Sequence, residues 1–193
     1  MCSSDLDYAV TVYSQILKKL YPDIPVIIGG IEASLRRLTH YDYWSDSLMP
    51  SVLVHSGADY LVYGMGERPI IQLAQMMRNK ATLAEFREVP QIAYLAGTKN
   101  EIPGSSREIL CLPSHEACKK NKKIFAEHFR IIEKQANVSN SPVLAESLDD
   151  ENGPLVVVNP PFPVMNTDEM DALYELPFTY QAQIGRASCR ERV

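Results

Sequence analysis

The sequence predicts an α/β domain with a parallel sheet, on two observations. Over the first half of the chain, short apolar runs closed by glycines alternate with segments of helical periodicity. Both glycine turns, Gly29–Gly30 and Gly64–Gly66, directly follow an apolar run. That position is the carboxyl end of a strand, where open α/β sheets bind ligands.

The elements follow in order. "DYAVTVYSQILKKLY" places Val10, Val12, Tyr13, Ile16, Leu17 and Leu20 on a helical stripe. Pro22 and Pro25 end that helix. "VIIGG" reads as a strand buried on both faces. "IEASLRRL" starts a short helix, and "DSLMPSVLVHSG" reads as another, with Pro50 in its first turn. "ADYLVYGMG" is a second strand, "ERPIIQLAQMMRN" a core-facing helix and "QIAYLAG" a third strand. In the second half "REILCLPS" is a strand into a turn, and Ser114 caps one long helix, "HEACKKNKKIFAEHFRIIEKQAN". Two further apolar runs flank a polar turn at Asp149 to Gly153, a small β-hairpin. "NTDEMDALYELPF" closes with a short helix capped by Asn166 or Thr167.

Both ends read differently from the rest. "MCSSDL" (1–6) and "IGRASCRERV" (184–193) resemble translated short-read sequencing adapters and are set aside from fold reasoning. This implies a reading frame truncated at both ends. Setting them aside removes Arg186, Arg190 and Arg192 from 19 basic residues, and Asp5 and Glu191 from 24 acidic ones. The net charge moves from -5 to -6, because 16 basic residues then face 22 acidic ones. An acidic chain is a poor polyanion binder, so no nucleic-acid partner is expected. No apolar run is long enough to span a bilayer and "MCSSDLDYAV" lacks the form of a secretory leader, so no membrane partner and a cytoplasmic setting are expected. Two cysteines remain, Cys111 and Cys118, too few for a disulfide framework.

Candidate site residues cluster behind the glycine turns. "GGIEAS" is neither a dinucleotide fingerprint nor a P-loop, and "GMGERP" fails both patterns too. Each turn reads equally as a structural turn or as a loop where a helix N-terminus meets an anion. Glu32 opens a run of charged and aromatic groups. Arg36 and Arg37 could clamp a carboxylate or phosphate, or form salt bridges to Asp42 or Asp46 on a solvated face. Tyr41, Tyr43 and Trp44 could form a stacking wall or a packed satellite core. Glu67, after Gly64 and Gly66, faces a site, caps the next helix, or does both. His40 and His55 lack ligand-spaced companions and read as structural. Cys111, His115 and Cys118 lack a fourth zinc ligand, since His128 comes ten residues later in the same helix; no metal is expected.

"IPVIIGGIEASLRRLTHYDYWSDSLMPSVLVHSGADYLVYGMGERPI" resembles the N-terminal region of the YgiQ-type radical SAM proteins. "LPSHEACKKNKKIFAEHF" and "VVVNPPFPVMNTDEMDALYELPF" resemble the same family in the same order. The resemblance implies a Rossmann-like, cobalamin-binding-type sheet with helices on both faces over 7–110. A long helix and small hairpin over 111–183 would then lead to a radical SAM barrel outside this chain. The parent protein would use a [4Fe–4S] cluster and S-adenosylmethionine on an unknown substrate. This fragment would bind neither, because the C-x-x-x-C-x-x-C triplet is absent from it and no catalytic residue is assigned. Cobalamin is not expected, since D-x-H-x-x-G is absent from 7–183. On this reading Gly29, Gly30, Glu32, Arg36, Arg37, Tyr41, Tyr43, Trp44, Asp46, Gly64, Gly66 and Glu67 face the substrate mouth of that barrel or dock against it. The competing readings are a stand-alone flavodoxin-like module for a small anion and an interaction scaffold.

Overall fold

The computed structural model describes residues 8–103, 108–136, 138, 140–149 and 153–179. The two adapter-like segments and the tip of the hairpin turn, 150–152, lie outside the described residues. Tyr8–Phe162 forms one compact unit, and the described residues from Pro163 onward belong to a second.

In the first unit, α1 (Ala9–Leu20) leads to β1 (Ile27–Ile28), α2 (Gly30–Leu35), and a two-stranded ribbon of β2 (His40–Asp42) and β3 (Ser47–Met49). Then come α3 (Val52–Ser56), β4 (Tyr60–Val62), α4 (Glu67–Arg78), α5 (Leu83–Phe86) and β5 (Ile92–Ala96). A 3-10 turn (Lys99–Glu101), β6 (Ile109–Leu112), α6 (His115–Lys120), α7 (Lys122–Ala136), β7 (Val143–Ser147) and β8 (Leu155–Val158) complete it. The second unit contains α8 (Thr167–Tyr174), capped by Asn166 and Glu169 in a reciprocal capping box.

The six-stranded sheet has the order β1-β4-β5-β8-β7-β6. It is mixed rather than parallel throughout. β1–β4 and β6–β7 pair parallel, while β4–β5, β5–β8 and β7–β8 pair antiparallel. The chain returns over α5 and the residues around it, so Ile92 starts β5 opposite Val62, the end of β4. The predicted hairpin is present as β7–β8, and it is paired into the main sheet by β8.

Successive strand residues enter opposite cores, as a pleated strand requires. Leu61, Ala93, Leu144, Val156 and Val158 join Ala33 of α2, Val52 and Leu53 of α3 and Ile132 of α7. Tyr60, Val62, Ile92, Tyr94, Val143, Ala145, Leu155 and Val157 join Leu73 of α4 and Phe86 of α5. Helices therefore cover both faces, which explains why these strands read as continuous apolar runs.

Two local expectations are corrected. The predicted helix around Pro50 is a strand, β3, followed by α3, with Ser51 rather than Pro50 at its start; Ser51 Oγ accepts from the Leu53 amide. The single long helix from His115 is two, broken at Asn121, whose extended backbone stops α6. Asn121 Oδ1 then accepts from the Lys123 amide and starts α7.

Leu61 is wholly buried in a strand covered on both faces. Leu61→Ala is expected to cost about 2–5 kcal/mol, read as a lower urea midpoint at unchanged slope.

Candidate functional site

Parallel pairing of β1 with β4 sets the two glycine turns side by side. Gly29 caps the start of α2, where a Cβ would sit 3.3 Å from the Val62 carbonyl oxygen. Gly30 and Gly64 have φ of 81° and 67°, backbone that favours glycine. Ser34 joins the turns: its Oγ donates to Gly30 O at 2.7 Å and accepts from the Gly64 amide at 3.2 Å. Gln91 holds the second turn from below, donating through Nε2 to Tyr63 O at 2.8 Å and to Met65 O. Its Oε1 accepts from the Phe162 amide at 3.2 Å, so one amide ties the turn to the segment after β8. Glu67 is the first residue of α4, and its Oε2 is buried without a hydrogen-bond partner.

The two arginines diverge. Arg37 lies over the Tyr63 ring, 5.0 Å from its centroid, and Nη1 donates to Ser34 O at 2.6 Å. Burial lowers its pKa, and Nε is buried without a partner. Arg36 turns the other way, meeting Glu32 at 3.0 Å and Asp42 at 3.7 Å, with its guanidinium 5.5 Å from the Tyr8 ring centroid. The salt-bridge reading with Asp42 thus describes Arg36 and not Arg37.

Asp42 organises the β2–β3 ribbon. Its Oδ2 accepts from Tyr8 Oη at 2.6 Å, from Ser45 Oγ at 2.7 Å and from the Ser45 amide at 3.0 Å. The Tyr8 hydroxyl first, and Ser45 and Arg36 with it, hold its carboxyl below the usual carboxylate range against a desolvation that raises it. At the ribbon tip Asp46 has φ of 48°, tolerated by an Asp in a tight turn, and accepts from Tyr41 Oη at 2.7 Å. Tyr43 and Trp44 pair with ring centroids 4.6 Å apart. Tyr41, Tyr43 and Trp44 are 54%, 65% and 66% exposed, so they are not a satellite core.

The candidates therefore fall into two groups. Gly29, Gly30, Gly64, Gly66 and Glu67 surround the ends of β1 and β4, with Arg37 beside them. Glu32, Arg36, Tyr41, Tyr43, Trp44 and Asp46 belong to α2 and the ribbon that follows. A second polar centre anchors that ribbon, and sequence reasoning missed it. Glu146 of β7 is wholly buried. It meets Thr39, which directly precedes β2, as well as His128 of α7. No short-range pattern could reveal this, because Thr39 and Glu146 are 107 residues apart.

Among the described residues no group of three or more His, Cys, Asp or Glu is placed to hold a metal ion. Cys111 is exposed on β6, whereas Cys118 is buried in α6 with its thiol pushed up to about 11 by desolvation and the nearby Glu146. Burial also lowers the pKa of His40 and His115.

This architecture defines a class: an α/β domain with a glycine-lined strand edge and an exposed aromatic ribbon. The model of the radical SAM N-terminal region matches residues 4–188, and the chain belongs to that family. A "UPF0313 protein" of Porphyromonas gingivalis is 46% identical over 173 residues, covering 90% of this chain and 27% of its own length. Its namesake in Bacteroides thetaiotaomicron is 45% identical over 184 residues, covering 90% and 29%. One from Thermotoga maritima is 35% identical over 192 residues, covering 97% and 32%. The chain thus spans under a third of these relatives' length. No solved structure matches.

The family name implies an iron–sulfur cluster, but the described residues do not fit one. Cluster iron needs several thiolates, and here one of two thiols is buried and held protonated.

Asp42 sets an acid limit on stability. Its folded-state pKa is depressed, so its contribution is complete above the ordinary Asp value of about 4 and is lost as pH falls through the folded value. Asp42→Asn is expected to flatten that part of the acid limb in a pH series of urea midpoints.

Proposed function

We propose that this chain is the N-terminal accessory domain of a radical SAM enzyme of unknown substrate. Its partner is the radical SAM barrel of the same parent protein. In that protein the barrel supplies the [4Fe–4S] cluster and the S-adenosylmethionine site, and this region supplies neither. A cytoplasmic setting belongs to the same proposal; among the described residues no helix is long and apolar enough to cross a membrane.

One observation carries the role of the surface. The ribbon offers Tyr41, Tyr43 and Trp44 to solvent, and α2 offers Ile31 and Leu35. Exposed aromatic and aliphatic groups grouped beside polar ones suit a protein contact. Arg36 stands between them, already held by Glu32 and Asp42 and therefore pre-oriented. The stand-alone anion module is the weaker reading, since Arg36 is committed to two carboxylates and Arg37 to Tyr63 and Ser34.

The test uses the full-length protein carrying this region, reconstituted anaerobically with iron and sulfide. Arg36→Ala and Trp44→Ala are expected to lower turnover or loosen domain association while cluster absorbance is retained. Wild-type turnover and association in both variants would refute the assignment.

A further inference from the structure

The ribbon is held from a distance. Glu146 Oε1 accepts from Thr39 Oγ1 at 2.5 Å, and Oε2 accepts from the Thr39 amide at 3.0 Å and from His128 Nε2 at 2.7 Å. Thr39 Oγ1 gives its one proton to Glu146, so at 2.9 Å it accepts from His115 Nδ1. Both imidazoles are therefore donors into one carboxylate system. His128 Nδ1 is left buried with no partner, which fixes the ring's useful proton on Nε2. Thr39, Glu146, His115 and His128 are all buried.

A wholly buried carboxylate is costly unless its lone pairs are filled. Among the described residues no arginine or lysine fills them. The donors come from α7 and from Thr39, the residue just before the ribbon, with His115 of α6 behind it. Glu146 also lies opposite Val156, in the amino half of β8. That half of the sheet is away from the ends of β1 and β4, where α2 begins. The carboxylate thus grips the chain after α2 has left the glycine turns.

We propose that Glu146 is the positioning residue for the β2–β3 ribbon, acting through both polar groups of Thr39 to fix the aromatic surface. This rests on reading that surface as a docking face. Glutamine keeps an acceptor for the Thr39 amide and His128 Nε2–H only with its NH2 on Thr39 Oγ1, whose proton must then turn away to His115 Nδ1, so the charge-assisted bond from the hydroxyl is lost.

The test reads the ribbon in this chain alone, so it is separable from whether the ribbon docks anything. Trp44 is the sole tryptophan and reports the ribbon by fluorescence. In Glu146→Gln, amide exchange over 37–46 is expected to rise about tenfold, the scale of a lost charge-assisted hydrogen bond. Acrylamide quenching of Trp44 should change with it, while exchange in α4 stays at the wild-type rate. If Glu146→Gln does not fold, Thr39→Val decides, with Thr39→Ser as its conservative control. Faster exchange in Thr39→Val and wild-type exchange in Thr39→Ser support the proposal. Unchanged ribbon exchange, an equal rise in α4, or Thr39→Ser as fast as Thr39→Val each overturns it.

Discussion

Val62 is the residue on which the glycine edge turns. It ends β4, is buried, and is crowded by both glycine turns. A Cβ on Gly29 would sit 3.3 Å from its carbonyl oxygen, and one on Gly66 would sit 3.3 Å from its Cγ1. Glycine at both positions lets α2 and the start of α4 close on the end of one strand. Ser34 and Gln91 then fasten the turns with hydrogen bonds that any larger spacing would break. The opening of α2, the start of α4 and the segment leaving β8 all take their positions from this contact.

Much of this was legible in the sequence, for physical reasons. Strands covered on both faces must be apolar throughout, so "VII", "YLV" and "IAYLA" announce themselves. Glycines mark the two strand ends because Gly30 and Gly64 have positive φ and a Cβ at Gly29 or Gly66 would press on Val62. Asn166 with Glu169, and Ser114 alone, are caps readable at short range. Strand direction was not legible. Helical periodicity shows that a helix follows β4 but not that the chain then doubles back to start β5 beside the end of that strand.

The ribbon was hidden for a different reason. "HYD" and "SLM" are too short and too mixed to show period-two alternation, and their turn depends on Asp42 gathering donors from Tyr8 and Ser45. The Thr39–Glu146 contact is hidden more deeply, since only the finished sheet brings β7 under the chain that follows α2. The resemblance in "GGIEASLRR" and "GMGER" identified the family from residues whose geometry turns out to be spread over two centres. Arg36 and Arg37, adjacent in sequence, serve different ones. The two described cysteines lie on different elements, Cys111 exposed on β6 and Cys118 buried in α6.

The proposed docking face requires the exposed ribbon to be covered within a larger radical SAM protein. Hydroxyl-radical footprinting of Tyr41, Tyr43 and Trp44 tests it most directly, comparing this chain with the full-length protein that carries it. Strong labelling is expected in the chain alone and marked protection in the full-length protein. Equal labelling of all three residues in both would contradict it.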